Sequence, residues 1–160
     1  MPKFLQKSGS DLFELRKLPV KEFLDKDCGS MEVMTVTTES SPEEVLKKLM
    51  DPTNREDAVV VISHKSSPTV GVITQSDFLN WTRKFMFPSP KSDYNEMDAV
   101  LIANPNFFYI KEDEPLEKAI ELMKENKTSH IVVLDNSENK NFVGWVTRRS
   151  ILRTLGSKLL

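Results

Sequence analysis

The sequence predicts a mixed α/β (α+β) fold, two pseudosymmetric β-α-β-β-α repeats packed sheet to sheet as one module. Three observations carry this. Landmarks recur at one offset: Pro42 with Pro115, Leu49-Met50 with Leu122-Met123, Gly71 with Gly144 and Thr74 with Thr147 are each 73 positions apart. A short β-branched run follows a helix-patterned stretch in both copies, AVVVI at 58–62 and HIVVL at 130–134. A polar turn and a glycine-containing strand then follow, VGVIT at 70–74 and FVGWVT at 142–147. The two β-branched runs align at 72 rather than 73, which places one residue fewer between helix and strand in the second copy.

The elements follow in order. Residues 1–17 form an N-terminal helical segment, in which Leu12 and Leu15, with Leu18 just beyond, make an apolar stripe that docks on the module or across a dimer. The first repeat spans 18–87 and opens with the apolar run PVKEFL at 19–24, followed by an extended run, EVMTV at 32–36. SPEEVLKKLM then reads as a helix, with Ser41 as N-cap, Pro42 at the first helical position and Glu44 three residues after the cap. Val45, Leu46, Leu49 and Met50 would form its buried face. HKSSPT makes a hairpin turn, and a terminal helix starting after Thr74 runs through Phe78, Thr82 and Phe85 until Pro88 stops it. Trp81, Phe85, Met86 and Phe87 are expected to cover the edge of the core.

Residues 88–96 are a linker, and 97–160 form the second repeat. There DAVLI at 98–102 matches PVKEFL, and NFFYI at 106–110 is the extended run. Pro115 again leads a helix, with Leu116, Ala119, Ile120 and Met123 at helical spacing, and DNSENKN turns the hairpin.

Composition narrows the function classes. Of 160 residues, 39% are apolar and 29% charged, a globular balance that argues against disorder. A net charge of −2 argues against a sequence-independent grip on nucleic acid, which needs a basic face. Cys28 stands alone and only His64 and His130 accompany it, so no zinc spacing exists. The N-terminal residues lack the apolar core of a signal peptide, and no run is long enough to cross a bilayer, so a cytoplasmic protein without a membrane partner is expected. No nucleophile-base order, phosphate-cradling glycine loop or carboxylate pair with an evident cleft stands out, so an enzyme is not expected.

The strand-to-helix junctions GVITQSDF (71–78) and GWVTRRSI (144–151) are the candidate chemistry. Thr74-x-x-Asp77 can be read as a helix cap, with Thr74 as N-cap and Asp77 as its return partner. It can also be read as a ligand site: a carboxylate accepts both protons of a ribose diol, and a helix start supplies donors. The two readings are compatible. The second copy keeps Thr147, but Ser150 stands where the carboxylate would be, beside Arg148, Arg149 and Arg153. Solvation is the plain alternative for those arginines, and a core-packing role for His130.

The ordered set of lead-in runs, Pro-led helices ending in Leu-Met, HIVVLD and the two Gly-x-x-Thr stretches resembles the tandem CBS domain pair, or Bateman module, over roughly residues 18–155. That resemblance implies two clefts able to hold adenosine compounds: AMP, ADP, ATP or S-adenosylmethionine, with no cofactor required. The family motif Gly-apolar-x-Thr/Ser-x-x-Asp/Asn matches Gly71, Thr74 and Asp77, and would make Thr74 and Asp77 nucleotide contacts. Adenine would lie against Ala58, Val59 and Val60 and against His130, Ile131 and Val132. Thr147, Arg148, Arg149 and Ser150 would make the second site, with Ser150 departing from the motif. The resemblance also implies a homodimer and an effector protein as partner, and its alternative is a structural or interaction module with empty clefts.

Overall fold

The computed structural model describes residues 14–24, 31–63, 68–86 and 99–160. Of the sequence expectations, Leu12, Cys28, most of the HKSSPT turn with His64, Phe87 and the 88–96 linker lie outside these residues, as do the side chains of Phe85 and Met86.

The chain folds as two units that do not follow the repeat boundaries. The first-repeat unit extends to Phe107 and takes in 138–141, whereas the second-repeat unit combines the chain up to Asp25 with Phe108–Ser137 and Phe142–Leu160. Each lead-in segment therefore packs on the other repeat. Residues 14–24 join the second repeat through Val20 N donating to Glu114 O (2.8 Å), Lys21 N to Glu112 O (3.0 Å) and Leu116 N to Leu18 O (2.8 Å). Lys21 also pairs with Asp113 at 3.2 Å, and Asn136 donates to Asp113 as well. Ala99–Ile102, a single helical turn, belongs instead with the first repeat, where Ala99 N donates to Ser40 O (2.8 Å).

The first-repeat unit runs β1 (Thr35–Thr37), α1 (Pro42–Leu49), β2 (Ala58–Ile62), β3 (Thr69–Thr74) and α2 (Gln75–Met86). The second-repeat unit has β4 (Tyr109–Lys111), α3 (Leu116–Asn126), β5 (His130–Leu134), β6 (Phe142–Thr147) and α4 (Arg148–Leu159). Each makes a three-stranded sheet, β1-β2-β3 or β4-β5-β6, with the first pair parallel and the second an antiparallel hairpin. The central strands are buried on both faces, as their unbroken apolar runs require.

Several boundaries differ from the sequence reading. Met31–Met34 is a helical turn, so the strand placed at 32–36 begins only at Thr35; likewise the strand expected at 106–110 is Tyr109–Lys111. Ser41 does cap α1, accepting from Glu44 N at 3.2 Å, with Pro42 at the first turn. In α3, however, Pro115 is the N-cap and Leu116 opens the helix. The offset from Pro42 to Leu116 is 74, and from Ala58 to His130 it is 72. From helix start to strand start the second copy is thus two residues shorter, not one.

Pro42, Val45 and Leu49 are the buried positions of α1, and Leu116, Ala119 and Met123 those of α3. Leu46, Met50 and Ile120, placed on the inner face by periodicity, are exposed. One core joins Val45, Leu49, Val59, Val61, Ile73, Phe78 and Trp81 with Ala99 and Ile102; the other joins Leu15, Val20 and Phe23 with Ile110, Ile131, Val133, Val146 and Ile151. Trp81 packs on Phe78 with ring centroids 5.4 Å apart.

Candidate functional site

Gly71 shows why the first junction has its shape. Val72 exchanges backbone hydrogen bonds with Asn104 (3.0 and 2.8 Å), which brings that segment against β3. A Cβ on Gly71 would meet Ala103 Cβ at 2.8 Å and Asn104 O at 3.2 Å, so only glycine admits this approach. Gly144 faces the Leu24 side chain, whose Cδ2 would lie 2.9 Å from an added Cβ, a contact with a flexible side-chain end rather than with backbone. The lead-in segments therefore run beside the glycine-bearing strands.

β3 ends at Thr74 and α2 begins at Gln75, which puts Asp77 back over the strand end. Asp77 Oδ2 accepts from Thr74 N (2.9 Å) and from Thr74 Oγ1 (3.0 Å), and Asp77 N donates to Thr74 Oγ1 (3.2 Å). This is a reciprocal cap. It commits the Thr74 hydroxyl proton and one carboxylate oxygen, and leaves Oδ1 of the half-buried Asp77 without a hydrogen bond among the described residues. Ala58 lies opposite Thr74 in the ladder, and Val60 opposite Val72. Val59 points its side chain into the helix-side core, so the structure groups Ala58 and Val60, not Val59, on the opposite face.

The second junction has a different balance. Thr147 Oγ1 accepts from Ser150 N (2.9 Å), and Ser150 Oγ accepts from Thr147 N (2.8 Å) while donating to Thr147 O (3.1 Å). Ser150 is 1% exposed and Thr147 3%. The hydroxyl that replaces the carboxylate is thus enclosed, with both its roles used within the cap. His130 pairs with Thr147 across the hairpin, and its Nδ1 lies 2.9 Å from Ser129 Oγ. Ile131 packs in the core, while Val132 lies on the other face beside Trp145, its ladder partner.

Arg148 and Arg149 are exposed. Arg148 lines a groove with Ile120, Met123, Lys124, Ile151 and Leu152, on the helical side of the sheet rather than with Val132. The sequence reading missed Trp145, whose ring packs edge-on against His130 at 5.5 Å and against Phe142 at 5.5 Å. The replacement of Val72 by Trp145 at equivalent positions was its available signal. Asn104 had none, because its pairing with Val72 joins segments far apart in sequence.

No group of three or more His, Cys, Asp and Glu side chains able to hold a metal occurs among the described residues. None of the described helices is long and apolar enough to cross a membrane.

Comparison with known proteins places these junctions in context. Among curated proteins no sequence matches. Of the solved structures, an uncharacterized conserved protein from Pyrococcus horikoshii is 22% identical with a TM-score of 0.64, over 86% of this chain and 92% of its own. The CBS domain of a bacterial CNNM/CorC family Mg2+ transporter in complex with ATP is 18% identical with a TM-score of 0.69, over 94% and 96%. The CBS domain pair of protein MJ0100, in complex with 5-methylthioadenosine and S-adenosyl-L-methionine, is 22% identical with a TM-score of 0.67, over 89% and 98%. These likenesses share the fold. The sequence model of the CBS domain matches twice, at residues 20–84 and 98–157, each match ending in one of the strand-to-helix junctions and the helix after it. The chain therefore belongs to the CBS domain family, as a tandem pair of CBS domains.

Proposed function

We propose that the chain is a non-enzymatic regulatory module of the cytoplasm that binds AMP, ADP or ATP and passes its occupancy, as a homodimer, to an effector protein. The observation that carries this reading is the Thr74–Asp77 junction. Oδ2 is held by two donors from Thr74, which fixes the carboxylate, and Oδ1 is left to accept from a ribose hydroxyl. Ala58, the ladder partner of Thr74, and Val60 lie on one face of the same strand pair, both fully buried, so they back the junction rather than offer open surface to a base. Solved CBS structures carrying ATP and AMP support the choice of ligand class. Thermal shift and calorimetry with AMP, ADP, ATP and S-adenosylmethionine test it. Ligand at about a hundred times its Kd stabilises by about 2.7 kcal/mol, and no response to any of the four would remove the reading.

Two alternatives have their own support. The MJ0100 pair bears S-adenosyl-L-methionine, and a response to that compound alone would select it. A structural or interaction module without ligand is favoured by Ser150, whose hydroxyl is consumed inside its cap. On the present reading this enclosure makes the two junctions unequal. The Asp77 side binds the nucleoside, and Thr147, Arg148, Arg149 and His130 offer at most a weaker, phosphate-directed contact.

A further inference from the structure

The second junction is enclosed by side chains that the first junction does not have. Ile131, Val133 and Val146 face the helices in the second core, so His130, Val132, Trp145 and Thr147 project from the opposite face of the sheet. His130 is the ladder partner of Thr147, and side chains so paired lie about 5 Å apart. Trp145 precedes Thr147 by two residues on the same strand and face. The rings of His130 and Phe142 both meet Trp145 edge-on, with centroids 5.5 Å apart.

The same ladder places in the first sheet hold Ala58 opposite Thr74, Val72 opposite Val60 and Thr69 opposite Ile62. Imidazole, indole and phenyl rings in one sheet therefore stand where the other has a methyl, an isopropyl and a hydroxyethyl group. Both junctions are reciprocal caps of the same spacing, so the cap itself does not set their exposure. Thr74 and Thr147 are the same residue in the same role, yet Thr74 is half-buried and Thr147 is 3% exposed. The shorter side chain of Ser150 cannot account for that, but the larger neighbours can. The buried Trp145 Nε1 has no hydrogen-bond partner among the described residues, so the indole acts there through the space it fills.

We propose that the His130–Trp145 pair, buttressed by Phe142, closes the second junction and so limits the chain to one adenosine ligand. The limit rests on the nucleotide binding proposed at Asp77; the closure stands without it. On this account Ser150→Asp alone does not create a second site, because the new carboxylate still lies behind the two rings.

Thiol labelling of the full chain tests the closure without any ligand. In a Cys28→Ser background, Ser150→Cys is expected to react with a maleimide about tenfold more slowly than Asp77→Cys, or slower still. Adding His130→Ala and Trp145→Val is expected to bring its rate within about threefold of Asp77→Cys, and the milder Trp145→Leu alone to give an intermediate rate. Ile131→Ala, on the helix face of the same strand, controls for lost stability and is expected to leave Ser150→Cys slow. Equal rates for the two cysteines, no acceleration by the changes at 130 and 145, or equal acceleration by Ile131→Ala overturns the closure. Calorimetry with AMP and ATP reads the limit: one site is expected in wild type and in Ser150→Asp, and two in His130→Ala/Trp145→Val/Ser150→Asp. Two sites in wild type or in Ser150→Asp, or one in a triple variant that melts cooperatively, overturns the limit. No binding by any of these proteins, with the labelling rates as expected, rejects the nucleotide reading and leaves the closure standing.

Discussion

At the residue scale, Asp77 and Ser150 occupy equivalent places and do the same structural work with different remainders. Each closes a cap on the preceding Thr, but Asp77 keeps an oxygen in hand and Ser150 keeps nothing. Asp77→Glu retains a side chain suited to the return bond of a capping box. Its melting temperature is expected to stay within a few degrees of wild type, while nucleotide affinity falls about tenfold as the acceptor moves by a methylene. Calorimetry beside a melting curve reads both, and equal affinity would mean that the carboxylate does not touch the ribose. Ser150→Asp puts a charge into a site 1% exposed and next to the Thr147 carbonyl. It is expected to lower stability by about 1–3 kcal/mol without raising ligand stoichiometry, as urea unfolding and calorimetry would report. The motif positions could be read from the sequence; the sealing of Ser150 could not, because burial depends on neighbours the local pattern does not contain.

At the element scale, helix α3 enters through a small charged network. Glu114 accepts from Lys111 N at 3.0 Å and from Lys118 Nζ at 2.7 Å. Burial raises its pKa, but the bonds from Lys118 and Lys111 and the charge of both lysines outweigh it and hold the carboxyl below its ordinary 4.5. A depressed carboxyl contributes stability above its unfolded pKa and loses it as pH falls through the folded value. Wild type should therefore lose more stability than Glu114→Gln on acidification below pH 4.5, with the gap between their melting curves closing toward the acid end. A gap independent of pH would dismiss the charge as the cause. The existence and type of the helices and of the hairpin strands followed from periodicity and β-branching. Their rotation did not. Leu46, Met50 and Ile120 fit an apolar stripe, but the sheet accepts only the narrower set at Val45, Leu49, Ala119 and Met123.

At the scale of the whole molecule, the repeats exchange their leading segments. Val20 and Phe23, both fully buried, belong to the core of the second repeat although they precede the first. A fragment of residues 97–160 lacks them and is expected not to fold cooperatively. In the full chain Phe23→Ala is expected to cost about 3–5 kcal/mol, with hydrogen exchange rising in β4–β6 before β1–β3. Cooperative melting of the isolated fragment would show the exchange to be dispensable. The recurrence of PVKEFL and DAVLI marked these segments as equivalent; each leads its own repeat in sequence and packs with the other in space, which adjacency could not reveal.

The sequence by itself determined the duplicated architecture, the strand-helix order and the two junctions, because side-chain periodicity and capping chemistry act over a few neighbouring residues. Only the tertiary structure decided that the lead-ins cross over, that Gly71 must admit Asn104, and that one junction keeps an acceptor without a partner among the described residues while the other is closed. Those outcomes depend on which distant backbones approach one another, and a local pattern does not contain that.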